Sequence, residues 1–98
     1  MKKYNSGDEF LSSLGNEKTT VLFYMSVCPF CKKGCPEFES RFKNEENYAT
    51  VALDTDEDSL WDMYSIFVVP TVLVFENKKV IKRYDGTPGK GLNIEEIL

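Results

Sequence analysis

The chain contains no histidine and only three cysteines, and both scarcities narrow its chemistry. Without histidine it lacks the side chain that titrates near neutral pH and serves most often as a metal ligand. A closed structural zinc site needs four ligands, and one chain with three thiols falls short. Cys28, Cys31 and Cys35-Pro36 resemble the tail of a ferredoxin cluster motif, but the remaining cysteine is missing. A metal shared between two chains stays open at this point. Three thiols also cannot all pair within one chain, which fits a reducing compartment better than a disulfide scaffold. No apolar run is long enough to cross a bilayer. Met1-Lys2-Lys3-Tyr4-Asn5 leads into polar residues, not into the core of a signal peptide, so a cytoplasmic address and no membrane partner are expected. There is no long Lys/Arg run, and the net charge of −4 speaks against nucleic acid as a partner.

What is present suits one domain. Ninety-eight residues, 42% of them hydrophobic, are enough for a single core over residues 1–98, without repeats or low-complexity linkers. The most informative stretch is Cys28-Pro29-Phe30-Cys31. An apolar, β-branched run, Thr19 to Met25, precedes it and reads as a strand buried on both faces. A helix is predicted from Pro29 to about Asn44, with Cys31, Cys35, Phe38 and Phe42 recurring on one face. A Cys-x-x-Cys pair at a strand-to-helix junction reads as a redox motif. Its first cysteine then sits where free N–H groups and the helix dipole favour a thiolate, the nucleophile of disulfide exchange. Pro29 fits the first helical position, which needs no N–H. Cys35, among phenylalanines one turn after Cys31, reads first as a small buried hydrophobe and second as a third redox thiol.

The remaining elements follow from local signals. Ser6-x-x-Glu9 resembles a capping box opening a helix over Phe10, Leu11 and Leu14, closed by Gly15. Tyr48 to Leu53 is a second strand, parallel to the first across the helical crossover. Ser59 to Tyr64 is a short helix. Thr71 to Phe75 and Lys79 to Tyr84 form a hairpin across Glu76-Asn77-Lys78, and Asn93-Ile94-Glu95-Glu96 caps a last helix. Two patterns are mimics. Asp54-x-Asp56-x-Asp58 starts like a calcium loop, but Ser59 and Ser65 stand where glycine and glutamate are needed, leaving solvated acids that cap the short helix. Gly86-x-x-Gly89-x-Gly91 lacks the spacing and the Lys-Ser/Thr of a phosphate loop and reads as a flexible connection.

Tyr64-Ser65-Ile66-Phe67-Val68-Val69-Pro70-Thr71, followed by Val72-Leu73-Val74-Phe75, resembles the thioredoxin family's short helix, cis-proline loop and first antiparallel strand. The interval from Cys28 to Pro70 is similar to the family's, Pro36 matches the proline that kinks its active-site helix, and Gly86 resembles a glycine near its groove. The resemblance covers roughly residues 4–98. It implies an α/β thioredoxin fold, with a mixed four- to five-stranded sheet flanked by helices on both faces. It further implies a monomeric thiol–disulfide oxidoreductase acting on disulfide-bearing proteins. Cys28 would attack, Cys31 would resolve the mixed disulfide, and Val27, Pro29, Phe30, Val69 and Pro70 would line the substrate groove. Val69 would offer its backbone to an extended substrate. No metal or organic cofactor is implied beyond the redox-active Cys28–Cys31 pair; electrons would come from a thioredoxin reductase or a small thiol. Several positions depart from the family pattern. Val27 replaces the usual tryptophan, Leu22 the buried aspartate and Ala52 the accompanying lysine. Pro29-Phe30 is closer to the glutaredoxin dipeptide. A glutathione-linked, glutaredoxin-like activity is therefore the nearer alternative, and a non-catalytic binding module the farther one.

Overall fold

The computed structural model describes residues 1–98 except residues 56, 57, 88–90, 93, 95, 96 and 98; for residues 29, 30 and 32–34 it describes the backbone alone. Five strands form one mixed sheet: β1 (Lys2–Tyr4), β2 (Thr19–Tyr24), β3 (Tyr48–Ala52), β4 (Thr71–Glu76) and β5 (Lys79–Tyr84). Their spatial order is β1-β3-β2-β4-β5. β3 runs parallel to both β1 and β2, whereas β4 runs antiparallel to β2 and β5. The helices are α1 (Gly7–Ser13), α2 (Pro29–Phe42) and α3 (Leu60–Met63). The parallel β2–β3 pair follows from the α2 crossover between them, as the sequence pattern implied.

The two-residue period of the strands divides the core between the two faces of the sheet. Val21 and Phe23 of β2 join Phe10 of α1, Leu60 of α3, Ala49, Val51, Leu73 and Phe75 in one buried cluster. Leu22 points the other way, with Val72, Phe38 and Phe42 of α2, and Ile94 and Ile97. Phe38 and Phe42 meet edge to face, and Phe42 stacks on Tyr48 at 4.3 Å, which seats α2 against the edge of β3. Burial of one such phenylalanine contributes about 1.5–3 kcal/mol. Helices therefore cover both faces, and β2, apolar on each side, is the shared wall.

Local chemistry sets the ends of the elements. The Ser6 hydroxyl accepts from the Glu9 amide at 3.2 Å at the start of α1, while the Glu9 carboxylate receives the Asn5 amide at 3.4 Å. That helix ends at Ser13, with Leu14 as its cap, so Gly15 lies one residue beyond the stop. The β4–β5 connection is tighter than the three-residue reading. Glu76 pairs with Lys79, and Asn77 and Lys78 form the turn at φ 54° and 65°. Positive φ at both central residues is what a two-residue hairpin turn requires, and asparagine tolerates it. The expected last helix after Asn93 and the Gly89 loop lie largely outside the described residues. Among the described residues no helix is long and apolar enough to cross a membrane.

Candidate functional site

The topology brings three chain segments to one end of the sheet. The parallel strands β2 and β3 both finish there, and antiparallel β4 begins there, with Phe23 opposite Thr71 and Tyr24 opposite Ala52. The loop 25–28, the residues after Ala52 and the Val68-Val69-Pro70 segment consequently converge. In open α/β sheets this carboxyl end is where ligands are received.

Cys28 is the N-cap of α2, in extended conformation and with Pro29 as the first helical residue. Its amide donates to Met25 O at 3.2 Å, and the Cys31 amide donates to Cys28 O at 3.1 Å, which winds the first turn. The Cys28 thiol is half-buried and lies 3.7 Å from the Val69 carbonyl oxygen, to which it donates. Val69 precedes Pro70 through a cis peptide bond. Cys28, Cys31, Val69 and Pro70 are thus brought together from sequence positions up to 42 apart. Val27 stands 75% exposed beside Cys28, while Pro70 itself is buried. The side chains of Pro29 and Phe30, the other two groove candidates, lie outside the described residues, as do those of Lys32 and Lys33.

Cys31 sits one turn inside the helix and is only 2% exposed. Its titration is pushed far above the ordinary thiol range, first by a side-chain hydrogen bond with Cys35 and then by burial. The Met25 backbone and the Cys28 side chain oppose that shift. Cys31 is therefore a protonated thiol at neutral pH. The expectation that Cys35 is a core residue is only half met. Cys35 packs against the cluster that holds Leu22, yet it is half-buried and lines an open cavity of about 290 Å³ with Cys31, Tyr24, Met25, Ser26 and Pro36.

The acids after β3 do separate work. Asp54 accepts from the Ser26 amide and the Ser26 hydroxyl, both at 2.7 Å, clasping the loop that leads to Cys28. Asp58 accepts from the Leu60 amide at 3.1 Å, capping α3 as expected, and from Gly7 N at 2.7 Å. Asp56 lies outside the described residues. Among the described residues no group of three or more Cys, Asp or Glu side chains is placed to hold a metal ion. Sequence reasoning missed the Asp54 clasp, because partners 28 residues apart leave no local pattern. It also passed over Phe67, three residues before Pro70 and 86% exposed. Its signal was an aromatic between buried Ile66 and a loop that has no core to enter.

Gly86 closes the far side of the proline loop. A Cβ there would stand 2.5 Å from the Pro70 carbonyl oxygen, so only glycine lets the segment after β5 approach.

A family model described as Thioredoxin matches residues 2–96. Protein disulfide-isomerase A5 of Bos taurus is 31% identical over 90 residues, covering 85% of this chain and 17% of that protein. A thioredoxin of Echinococcus granulosus is 30% identical over 77 residues, covering 76% of this chain and 72% of that one. The chain spans about a sixth of the length of the disulfide isomerases it matches. Among solved structures, a Plasmodium falciparum thioredoxin superposes with a TM-score of 0.73 at 26% identity over the whole of both chains. A Malassezia sympodialis thioredoxin gives 0.74 at 22% identity, covering 99% of this chain and 84% of that one.

Proposed function

This chain belongs to the thioredoxin family, and from that premise we propose that it is a thiol–disulfide oxidoreductase that reduces protein disulfides through Cys28 and Cys31. The observation that carries the proposal is the Cys28 thiol at the N-cap of α2, 3.7 Å from the carbonyl of Val69 and one turn from Cys31. Cys28, as thiolate, attacks one sulfur of a substrate disulfide; that S–S bond breaks and the other substrate sulfur leaves as thiolate. Cys31 then attacks Cys28 Sγ, forming the intramolecular disulfide and releasing the second substrate thiol. The two electrons gained by the substrate come from the Cys28–Cys31 pair, so the reaction needs no metal or organic cofactor.

The backbone of Val69 fits an extended substrate segment, since its carbonyl already faces the attacking sulfur. Val27 and Phe67 are exposed apolar side chains adjoining Cys28 and the proline loop in sequence, which suits an apolar substrate surface there. The proposal extends to a single domain, a monomer and a reducing, cytoplasmic setting, with reoxidised Cys28–Cys31 recycled by a thioredoxin reductase or a small thiol.

The test is dithiothreitol-driven reduction of a disulfide-bonded protein by wild type, Cys28→Ser and Cys31→Ser. Cys28→Ser should be inactive, and Cys31→Ser should accumulate a mixed disulfide with substrate visible by mass spectrometry. Retention of activity by Cys28→Ser would refute the assignment. Parallel assays with a thioredoxin reductase and with glutathione separate the two electron donors, which the Pro29-Phe30 dipeptide makes worth distinguishing.

A further inference from the structure

Resolution of the mixed disulfide poses a proton problem that rests on the oxidoreductase reading. Cys31 is buried and protonated, yet only its thiolate can attack Cys28. At that moment Cys28 is bonded to substrate sulfur and cannot take the proton. The position facing α2 from the middle of β2 is Leu22, fully buried and unable to titrate, and the chain has no histidine. Among the described residues, Cys35 is the titratable side chain other than Cys28 in hydrogen-bonding contact with Cys31.

We propose that Cys35 is the catalytic base that takes the proton from Cys31 during resolution. Both thiols line the same open cavity, on the side of α2 that meets Tyr24, Met25, Ser26 and Pro36, so a proton arriving on Cys35 reaches solvent directly. The other described groups that bear on this cavity are already committed. Tyr24, on β2, holds its own proton more firmly than usual because of burial and the neighbouring Cys35, Asp54 and Glu39. Asp54, after β3, is engaged by the Ser26 amide and hydroxyl. Glu39 lies one turn beyond Cys35 on α2 and pairs with Lys3 at 3.4 Å.

The step balances. The step requires Cys35 in its thiolate form: the proton of Cys31 Sγ passes to Cys35 Sγ as the Cys31 sulfur attacks Cys28 Sγ. The Cys28–Cys31 bond forms, the bond from Cys28 to the substrate sulfur breaks, and the substrate leaves as thiolate with that electron pair. Cys28 and Cys31 together lose two electrons and the substrate disulfide gains two. Cys35 then gives the proton to the departing thiolate or to water.

An aryl disulfide with a coloured thiolate, supplied at less than one equivalent, separates the steps in one stopped-flow trace. The first release reports attack by Cys28 and the second reports resolution by Cys31. Cys35→Ser keeps the size and hydrogen bonding of the residue but does not titrate; Cys35→Ala removes both, and Cys35→Asp restores a base. The first phase should match wild type in all three. The second should slow on the order of a hundredfold in the Ser and Ala variants, the usual scale of a general base. It should recover only as pH rises, and Cys35→Asp should restore it at neutral pH. A second phase of wild-type rate and pH profile in Cys35→Ser overturns the proposal, even if Cys35→Ala is slow, since packing then explains the residue. Release of no more than one thiolate per disulfide by wild type would remove the oxidoreductase reading itself, and this step with it.

Discussion

Gly86 and Gly15 offer a matched pair of substitutions whose outcomes should diverge. An ideal Cβ at Gly86 would lie 2.5 Å from the Pro70 carbonyl oxygen, and one at Gly15 would lie 2.6 Å from Glu17 Oε2. They are roughly 0.8 and 0.7 Å closer than an ordinary C···O contact of about 3.3 Å. The distances are alike, but the neighbours are not. Glu17 is an exposed side chain that can swing away, so Gly15→Ala should change stability by less than about 0.5 kcal/mol. The Pro70 oxygen belongs to buried backbone. Next to it, Thr71 Oγ1 donates to Val68 O at 2.6 Å and receives the Gly86 amide at 3.5 Å. Displacing that segment disturbs these bonds and packed neighbours together, so Gly86→Ala should cost about 1–3 kcal/mol, the range for overpacking. For a chain of this size that lowers Tm by roughly 5–15 °C. The displaced segment also carries the Val69 carbonyl that faces Cys28. KM for a protein disulfide should therefore rise severalfold, while alkylation of Cys28 by a small reagent proceeds at its wild-type rate. Urea and thermal unfolding of both variants, with steady-state reduction kinetics, are the assays. Gly86→Ala with wild-type stability and KM would show that the glycine does not set the position of the proline loop.

Three other outcomes are expected. Iodoacetamide at neutral pH should label Cys28 before Cys31, because Cys31 is buried and its thiol strongly protonated; peptide mapping over time checks the order, and early labelling of Cys31 would reverse the assigned roles. Stability should be lost in alkali: folded Cys31 holds its proton above the ordinary thiol value of 9.0, so below that pH the contribution is complete. Above it the unfolded chain loses the proton first, lowering stability by up to about 1.4 kcal/mol per pH unit. Urea midpoints from neutral pH to about pH 10 should show this slope in wild type and a shallower one in Cys31→Ala. Asp54→Ala should cost about 1–2 kcal/mol by removing both bonds to Ser26 and speed hydrogen exchange of the Ser26 amide, whereas Asp54→Asn, which keeps an acceptor, should lose less.

Local physical chemistry made much of this molecule legible before any coordinates. The Ser6 cap, the doubly apolar β2, the 3.6-residue recurrence from Cys31 to Phe42 and the Val72–Phe75 strand are each written within a few residues of chain. Each was found within one or two residues of its predicted bounds, because hydrogen-bond capping and side-chain period act over those distances. The pairing of Cys28 with Cys31 as a candidate site is similarly local. Neighbouring residues alone could not tell which distant groups stand around that pair. The Val69 carbonyl, the Ser26–Asp54 clasp and the approach of Gly86 to Pro70 join segments 16 to 41 residues apart. They exist only because β2, β3 and β4 end or begin at one end of the sheet. The hairpin turn was misread by one residue for the same reason. Glu76 is polar and looks like loop, but the ladder partner Lys79 holds it in β4.

Cys35 marks the boundary most clearly. Its spacing from Cys31 and Phe38 correctly placed it on the buried side of α2, since helical period is intrinsic to the backbone. Whether a residue on that side is sealed or reaches water depends on what lies across from it. Here Tyr24, Met25 and Ser26 leave the cavity open. Sequence by itself therefore determined the elements, their faces and the candidate thiol pair, all properties of adjacent residues. The tertiary structure alone decided that Cys31 is buried and holds its proton while Cys35 beside it is only half-buried on the open cavity they share, because burial and electrostatic environment are set by neighbours that the chain brings in from elsewhere.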